Sequence, residues 1–413
     1  LRISHQPPSR IPPARWNTGR DYQAGTPGVP IRTDVCPPLR TGLLYDAVTA
    51  PASHTDRLPG DPRVVTRVYA LTDVGRTRKH NEDTFLVADL DTGTPLDFTD
   101  GDHELTPDPH GLLFLVADGM GGAASGELAS SMAGTIVLEA LRQTWTSADP
   151  SPAAFAEALR DATVLANARI HQHARDNPAH RGMGTTATIA GLLGDHLFLV
   201  QVGDSRAYLV RDGAVQQLTK DQSLMQRLVE AGELTVEEAE VSERRNIILQ
   251  ALGPEAHVTI DLTHQQLRRG DTLILCSDGL SGMVRAPEIA RTSNEEQDVR
   301  SICQRLIDRA NQLGGPDNIT VIAARFDGDA LRAASPGDSF GYNTFPLAGT
   351  LNEETRAIPQ KEFEHARTAK DHAQRGAPEP AIEARRRAAQ PVFLLLGVIA
   401  LLAVIWFLFA LFG

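Results

Sequence analysis

Short apolar runs rich in β-branched residues occur at 64–75 (VVTRVYALTDVG), 84–90 (TFLVADL) and 111–119 (GLLFLVADG). Runs of that length, closed by turn residues, predict strands. Two longer stretches, 125–145 and 152–175, space Ala and Leu at helical intervals and predict helices, the first N-capped by Ser125. Strands return at 185–194, 196–205 and 206–218, and Asp212-Gly213 folds the last of these into a hairpin. A polar helical stretch at 221–240 follows, then strands at 258–267 and 271–279, a helix at 299–313 and a last strand at 318–326. Strands and helix pairs in blocks, joined by hairpins and not by βαβ crossovers, predict an α+β sandwich with largely antiparallel sheets.

The flanks carry no such pattern. Residues 1–64 hold PPSRIPP, GTPGVP and CPP and read as a disordered Pro-rich arm, without the apolar segment of a secretory signal. The folded domain is therefore expected over 65–327. Residues 328–390 are Ala, Pro, Glu and Arg without a core pattern and read as a flexible linker. The run from 391 to the end, PVFLLLGVIALLAVIWFLFALFG, has no charged side chain. A helix of that length rises about 1.5 Å per residue and spans a hydrocarbon core of roughly 30 Å, so 391–412 is expected to be a transmembrane helix. Within the domain, the acidic segment 89–104 lacks the spacing and closing Glu of a calcium loop and reads as a surface hairpin insertion.

Charge and cysteine content narrow the class. A net charge of -12 over 413 residues argues against nucleic-acid binding, which needs concentrated Lys and Arg. Cys36, Cys276 and Cys303 are widely spaced and suggest neither a disulfide framework nor a zinc site. Cys276 reads as a buried free thiol, and a reducing compartment is expected.

The candidate chemistry lies in carboxylates at strand ends. Asp118 (LFLVADGMGG), Asp204 (FLVQVGDSRA), Asp278 (LILCSDGLSG) and Asp317 (GGPDNITVI) each follow or precede an apolar run, and the Glu82-Asp83 pair stands directly before a strand. Carboxylates converging at one edge of a sandwich repel and raise one another's pKa, and a hard divalent cation relieves this. Oxygen-only ligation suits Mg²⁺ or Mn²⁺ and not zinc. Gly119, Gly121 and Gly122 let the backbone turn sharply after Asp118, so that a carbonyl can reach the same cation.

In this order, with DVGRTRKHNED at 73–83, LVADGMGG at 115–122, GMGTTAT at 182–188, VGDSRAYL at 202–209, RNIILQALG at 245–253, CSDGL at 276–280 and DNIT at 317–320, the chain resembles the metal-dependent (type 2C) protein serine/threonine phosphatases, in particular their bacterial branch. The resemblance covers residues 66–326. It implies a four-layer αββα sandwich, two antiparallel sheets flanked by helices, with a centre of two Mn²⁺ or Mg²⁺ ions and a weaker third. By the same resemblance Asp118 bridges both metals, Gly119 lends a carbonyl, Asp278 and Asp317 complete the first metal's ligands, and Glu82 and Asp83 hold metal-bound waters. Asp204 would serve the third metal, Arg78 would grip the substrate phosphate, and 221–246 would form a flap beside the cleft. Met120 stands where many eukaryotic members have a proton-donating His; a metal-bound water or His80 could take that part.

The implied activity is hydrolysis of phosphoserine and phosphothreonine on proteins by a metal-activated water, with phosphorylated proteins, and a membrane Ser/Thr kinase and its targets, as expected partners. Arg385, Arg386 and Arg387 precede the apolar run, and basic residues are retained on the cytoplasmic side, so the catalytic domain is expected at the cytoplasmic face of a membrane. The rival reading is a catalytically inactive, membrane-tethered phosphoprotein-binding module.

Overall fold

The computed structural model describes residues 62–346, apart from 108, 146–150, 241 and 297. The expected linker from 347 onward, the transmembrane helix at 391–412 and nearly all of the N-terminal arm lie outside the described residues. No helix among the described residues is long and apolar enough to cross a membrane.

The strands are β1 (Val65–Asp73), β2 (Asp83–Asp89), β3 (Thr94–Pro95), β4 (His103–Leu105), β5 (Leu112–Met120), β6 (Gly184–Thr185), β7 (Ala187–Leu193), β8 (His196–Val202), β9 (Arg206–Arg211), β10 (Ala214–Gln217), β11 (Asp261–Gln266), β12 (Thr272–Cys276) and β13 (Ile319–Asp327). Among the described residues they form a six-stranded sheet, β10-β9-β12-β13-β1-β4, and a seven-stranded sheet, β11-β8-β7-β5-β2-β3 with β6 on β5. The strand pairs are antiparallel, as expected from the hairpin turns. The helices are α1 (Ala123–Thr144), α2 (Pro152–Asp176), α3 (Leu224–Glu230), α4 (Val236–Glu240), α5 (Asp278–Ser281), α6 (Ala286–Glu295) and α7 (Val299–Gln312).

Side-chain alternation explains the layering. On β5, Leu112, Phe114 and Val116 enter the core shared with the other sheet, while Leu113, Leu115 and Ala117 enter the core beneath α1 and α2. Successive residues of a strand face opposite ways, so a strand buried on both faces reads as one continuous apolar run. On the far side α6 and α7 cover the six-stranded sheet with Ile289, Ile302, Leu306 and Ile307. The order is thus helices, sheet, sheet, helices. Cys276 and Cys303 are buried free thiols, and burial pushes Cys276 up to about 12.

Several local expectations need correction. The first helix begins at Ala123, with Gly122 at φ 92° as its N-cap, and Ser125 lies inside it. The Gly122 carbonyl accepts from the amides of Ser125 and Gly126, so the start is set by a backbone conformation that glycine supplies. The helical stretch at 221–240 is two short helices, α3 and α4, separated at Gly232 (φ 70°). Helix α6 had no sequence expectation: it is short, and Ile289 is the one large apolar side chain on a buried face completed by Ala290, Thr292 and Ser293. The insertion at 89–104 does turn back as the β2–β3 hairpin, and its end, β4, crosses to pair with β1 of the other sheet. Residues 328–346, assigned to the linker from composition, lie against the domain: Leu331 is buried, and Phe345 donates its amide to the Leu262 carbonyl at 2.9 Å.

Candidate functional site

Antiparallel pairing brings the sequence-predicted carboxylates to one end of the sandwich. In the seven-stranded sheet β2 begins with Asp83, directly opposite Asp118 near the end of β5. In the other sheet β12 runs out into Asp278 where its antiparallel neighbour β13 is entered from Asp317. Asp204 lies in the loop leaving β8 and entering β9, the other neighbour of β12. Strand ends from both sheets therefore meet at one edge, and Asp278 opens α5 there, after Ser277 as N-cap.

Burial and mutual proximity disfavour the charged forms of these carboxyls. Burial first, then Asp83, Asp278, Asp204 and Asp317, hold the Asp118 carboxyl well above the usual carboxylate range. Burial raises Asp83 to about 7, against hydrogen bonds from Thr320 and Ser277 and with Asp278 and Asp317 adding to the rise. Burial and then Asp317 raise Asp278; burial and then Asp278 raise Asp204. No three of these groups among the described residues form a closed cation shell as they stand.

A hydrogen-bond relay aims them. Asn81 donates to Thr72, whose hydroxyl meets that of Thr320 at 2.7 Å, and Thr320 donates to Asp83 Oδ2 at 2.7 Å. Ser277 donates to the same Oδ2 at 2.7 Å. Asp83 Oδ1 and Asp278 Oδ1 are left buried with no hydrogen-bond partner among the described residues. A buried oxygen without a donor costs about 1–3 kcal/mol, so each is placed to receive a cation instead. Hard oxygen donors only, partnerless buried oxygens and carboxyls raised by their neighbours fit a Mg²⁺- or Mn²⁺-type centre.

The rim is built from the loop between β1 and β2. Asn318 receives the Glu82 amide at 2.8 Å and donates to the carbonyls of Val74 and His80, pinning that loop to the start of β13. Burial pushes the Glu82 carboxyl up, with Arg78 opposing. Arg78 donates to Asp317 Oδ2 at 2.7 Å and is half exposed, so its guanidinium stands at the mouth. Burial alone would lower Arg78, but Asp317, then Glu82 and Asp118, raise it. Gly119 is fixed by close approach: a Cβ there would lie 2.2 Å from the Gly126 carbonyl and 2.6 Å from that of Glu82. Thr186 accepts the Asp118 amide, and Thr185 donates to the Asp118 carbonyl, which locks the end of β5. Asp204 is buried beside the Arg206–Asp221 ion pair, which closes at 2.6 Å. Met120 is half buried and His80 exposed.

Residue-type reasoning found the carboxylates and missed the groups that aim them. Ser277, Thr320, Asn318, Thr185 and Thr186 have no assigned part in the sequence reading. All of them lie within the quoted CSDGL, DNIT and GMGTTAT segments, which was the available signal. A cleft of about 370 Å³ opens from the carboxylates to the flap, lined by Arg78, Asp204, Asp278 and Asp317 on one side and Met225, Val229 and Val236 on the other.

The family model described as Protein phosphatase 2C matches residues 99–319. The chain is 34% identical over 256 residues to the serine/threonine phosphatase stp of Listeria monocytogenes, covering 62% of this chain and 94% of that protein. It is 38% identical over 263 residues to the serine/threonine protein phosphatase PstP of Mycobacterium tuberculosis, covering 63% of this chain and 45% of that longer protein. Among solved structures, the catalytic domain of PstP in complex with two manganese ions superposes with a TM-score of 0.51 at 35% identity, over 64% of this chain and 99% of that one. By these matches the chain belongs to the protein phosphatase 2C family of metal-dependent serine/threonine phosphatases.

Proposed function

We propose that this chain removes phosphate from phosphoserine and phosphothreonine on proteins, using two Mn²⁺ or Mg²⁺ ions held by Asp118, the Gly119 carbonyl, Asp278 and Asp317, with Glu82 and Asp83 fixing the surrounding waters. Asp204 would serve a weaker third ion. The observation that carries this reading is the convergence of these carboxylates with Asp83 Oδ1 and Asp278 Oδ1 buried and unpartnered. The solved relative containing two manganese ions supports the choice of metal. When bound, such ions lower the pKa of water and neutralise phosphoryl oxygens.

The chain's own groups do the rest. Ser277 and Thr320 hold Asp83 in one orientation, so its free oxygen keeps a fixed direction. Arg78, with its planar fork of donors, is at hand to bind the phosphoryl oxygens. Met120 cannot donate a proton, and His80 stands on the exposed loop two residues before Glu82. A catalytically inactive module would lack one of the carboxylates, and none is missing.

The direct test is turnover of a phosphopeptide panel with and without Mn²⁺. Hydrolysis only with the metal supports the reading, and binding without hydrolysis under both conditions overturns it. Arg78→Ala is expected to raise KM and to lower kcat/KM by the equivalent of about 2–4 kcal/mol. Wild-type kinetics in that variant would remove Arg78 from the phosphate site.

We further propose that 391–412 anchors the domain at the cytoplasmic face of a membrane, with 347–390 as tether, near a membrane Ser/Thr kinase and its targets. Arg385, Arg386 and Arg387 before the apolar run support this orientation. Deleting 391–413 should release a soluble chain of unchanged activity. Protease should digest the domain in inverted vesicles and spare it in right-side-out ones; the opposite protection would reverse the orientation.

A further inference from the structure

We infer that residues 331–345 form a strap that positions the flap helix α3, with Tyr342 and Lys220 as the positioning residues, so that the wall of the substrate cleft is set by chain beyond the last strand. The inference rests on the phosphatase reading above only in taking the cleft as the substrate's path.

The strap is anchored on both sides of Tyr342. Before it, the Arg332 carbonyl accepts the Arg269 amide at 2.9 Å, and Asp338 accepts from the largely buried Arg268 at 2.8 Å. The Phe340 ring lies 4.9 Å from the guanidinium carbon of Arg211, which is itself bound to the buried Asp271. The Gly341 amide donates to Gln265 Oε1 at 3.1 Å. After it, the Asn343 carbonyl accepts the His264 amide and the Phe345 amide donates to the Leu262 carbonyl, both at 2.9 Å, on the outer edge of β11. The Phe345 ring meets Phe198 and His264 edge-on. Tyr342 is thus presented from a fixed backbone.

Its ring lies 4.5 Å from Lys220 Nζ, and Lys220 in turn pairs with Glu230 at 3.4 Å. Glu230 is the last residue of α3, while Met225, Gln226 and Val229 of the same helix line the cleft opposite Asp278 and Asp317. The next residue after Lys220, Asp221, holds Arg206, which also lines the cleft.

A helix as short as α3 does not hold itself, since nucleation costs more than so few hydrogen bonds return. Its start is secured: Ser223 accepts the Gln226 amide, and the Leu224 amide donates to the Ile247 carbonyl. Met225, also near the start, is its buried side chain. At the C-terminal end Glu230 accepts from Gln226 of the same helix at 3.2 Å and pairs across to Lys220. Both partners are substantially exposed, and such a pair alone contributes little because the long lysine stem is free to move. A tyrosine face over the ammonium restricts that motion, and at an exposed site contributes about 0.5–1 kcal/mol. That corresponds to roughly a two- to fivefold change in an equilibrium constant.

The test uses the full-length chain with Mn²⁺, a phosphopeptide and the small aryl ester p-nitrophenyl phosphate. Tyr342→Leu and Lys220→Met should each raise KM for the phosphopeptide by about two- to fivefold with kcat unchanged. Both should leave the aryl ester kinetics alone, and the double variant should show no additional effect. Tyr342→Phe keeps the aromatic face and should behave as the parent. Hydrogen exchange at the α3 amides reads positioning without turnover and should quicken in Tyr342→Leu and Lys220→Met but not in Tyr342→Phe. A lower Tm with unchanged KM and unchanged α3 exchange in Tyr342→Leu would make the strap merely structural and overturn the inference. A parent that hydrolyses neither substrate, with α3 exchange still responding to Tyr342→Leu, would sink the phosphatase reading and keep the strap.

Discussion

Asp118→Asn is expected to lower kcat/KM by roughly a thousandfold or more, because on the proposed reading it removes a carboxylate that would hold the cations, while the backbone around β5 stays in place. The variant should remain folded: the Asp118 amide and carbonyl are held by Thr186 and Thr185, and neither bond involves the side chain. In chelator, Asp118→Asn should be at least as stable as the parent, since it takes one charge out of a repelling cluster. The sign with pH follows from the raised carboxyls. Asp83 binds its proton more readily in the native chain, at about 7, than when unfolded, near the ordinary aspartate value of 3.8. Its contribution to stability is therefore greatest at low pH and declines as pH rises through that interval. Melting in chelator, followed by circular dichroism from about pH 5 to about pH 8, should show this decline, less steep in Asp118→Asn. An Asp118→Asn variant as active as the parent would remove Asp118 from the centre.

Asp271→Ala is expected to destabilise the domain by about 3–5 kcal/mol, the largest single stability loss anticipated in this fold. Asp271 is fully buried and accepts from Arg211 Nε at 2.8 Å, from a second Arg211 nitrogen at 2.7 Å and from the Arg268 amide at 2.8 Å. Truncation leaves the buried Arg211 guanidinium with the Gln266 carbonyl and the Phe340 ring but no counter-charge. Breaking one partner costs far more than the intact pair contributes, because the remaining charge has lost its counter-charge and its water. Urea denaturation would read the loss as a fall in midpoint at unchanged slope. A change below about 1 kcal/mol would mean that the pair is solvated in solution.

How much of this was legible in the sequence depended on whether a structural role imposes a local pattern. Strand β5 was legible because burial on both faces makes 112–117 apolar throughout, and β9–β10 because Asp212 (φ 47°) and Gly213 (φ 84°) fit a tight hairpin turn. Helix α6 was not, since Thr292 and Ser293 fill buried positions that a hydrophobic period would have marked. The strap was not either: Phe340, Tyr342 and Phe345 each meet a partner distant in sequence, and single contacts spread along an irregular segment leave no period. In the site, an aspartate at the end of an apolar run announces itself. The groups that orient it, Ser277 and Thr320 on Asp83 and Asn318 beneath Glu82, look like ordinary turn and strand residues until the fold brings them together.

The most direct measurement of the central claim is a calorimetric titration of Mn²⁺ into the chelator-stripped full-length chain, with phosphopeptide hydrolysis followed on the same samples. Two ions should bind tightly and a third weakly, turnover should appear as the tight sites fill, and Asp278→Asn should lose both tight binding and turnover. Full hydrolysis in chelator, or binding unaffected by Asp278→Asn, would contradict the assignment of the strand-end carboxylates as the metal centre.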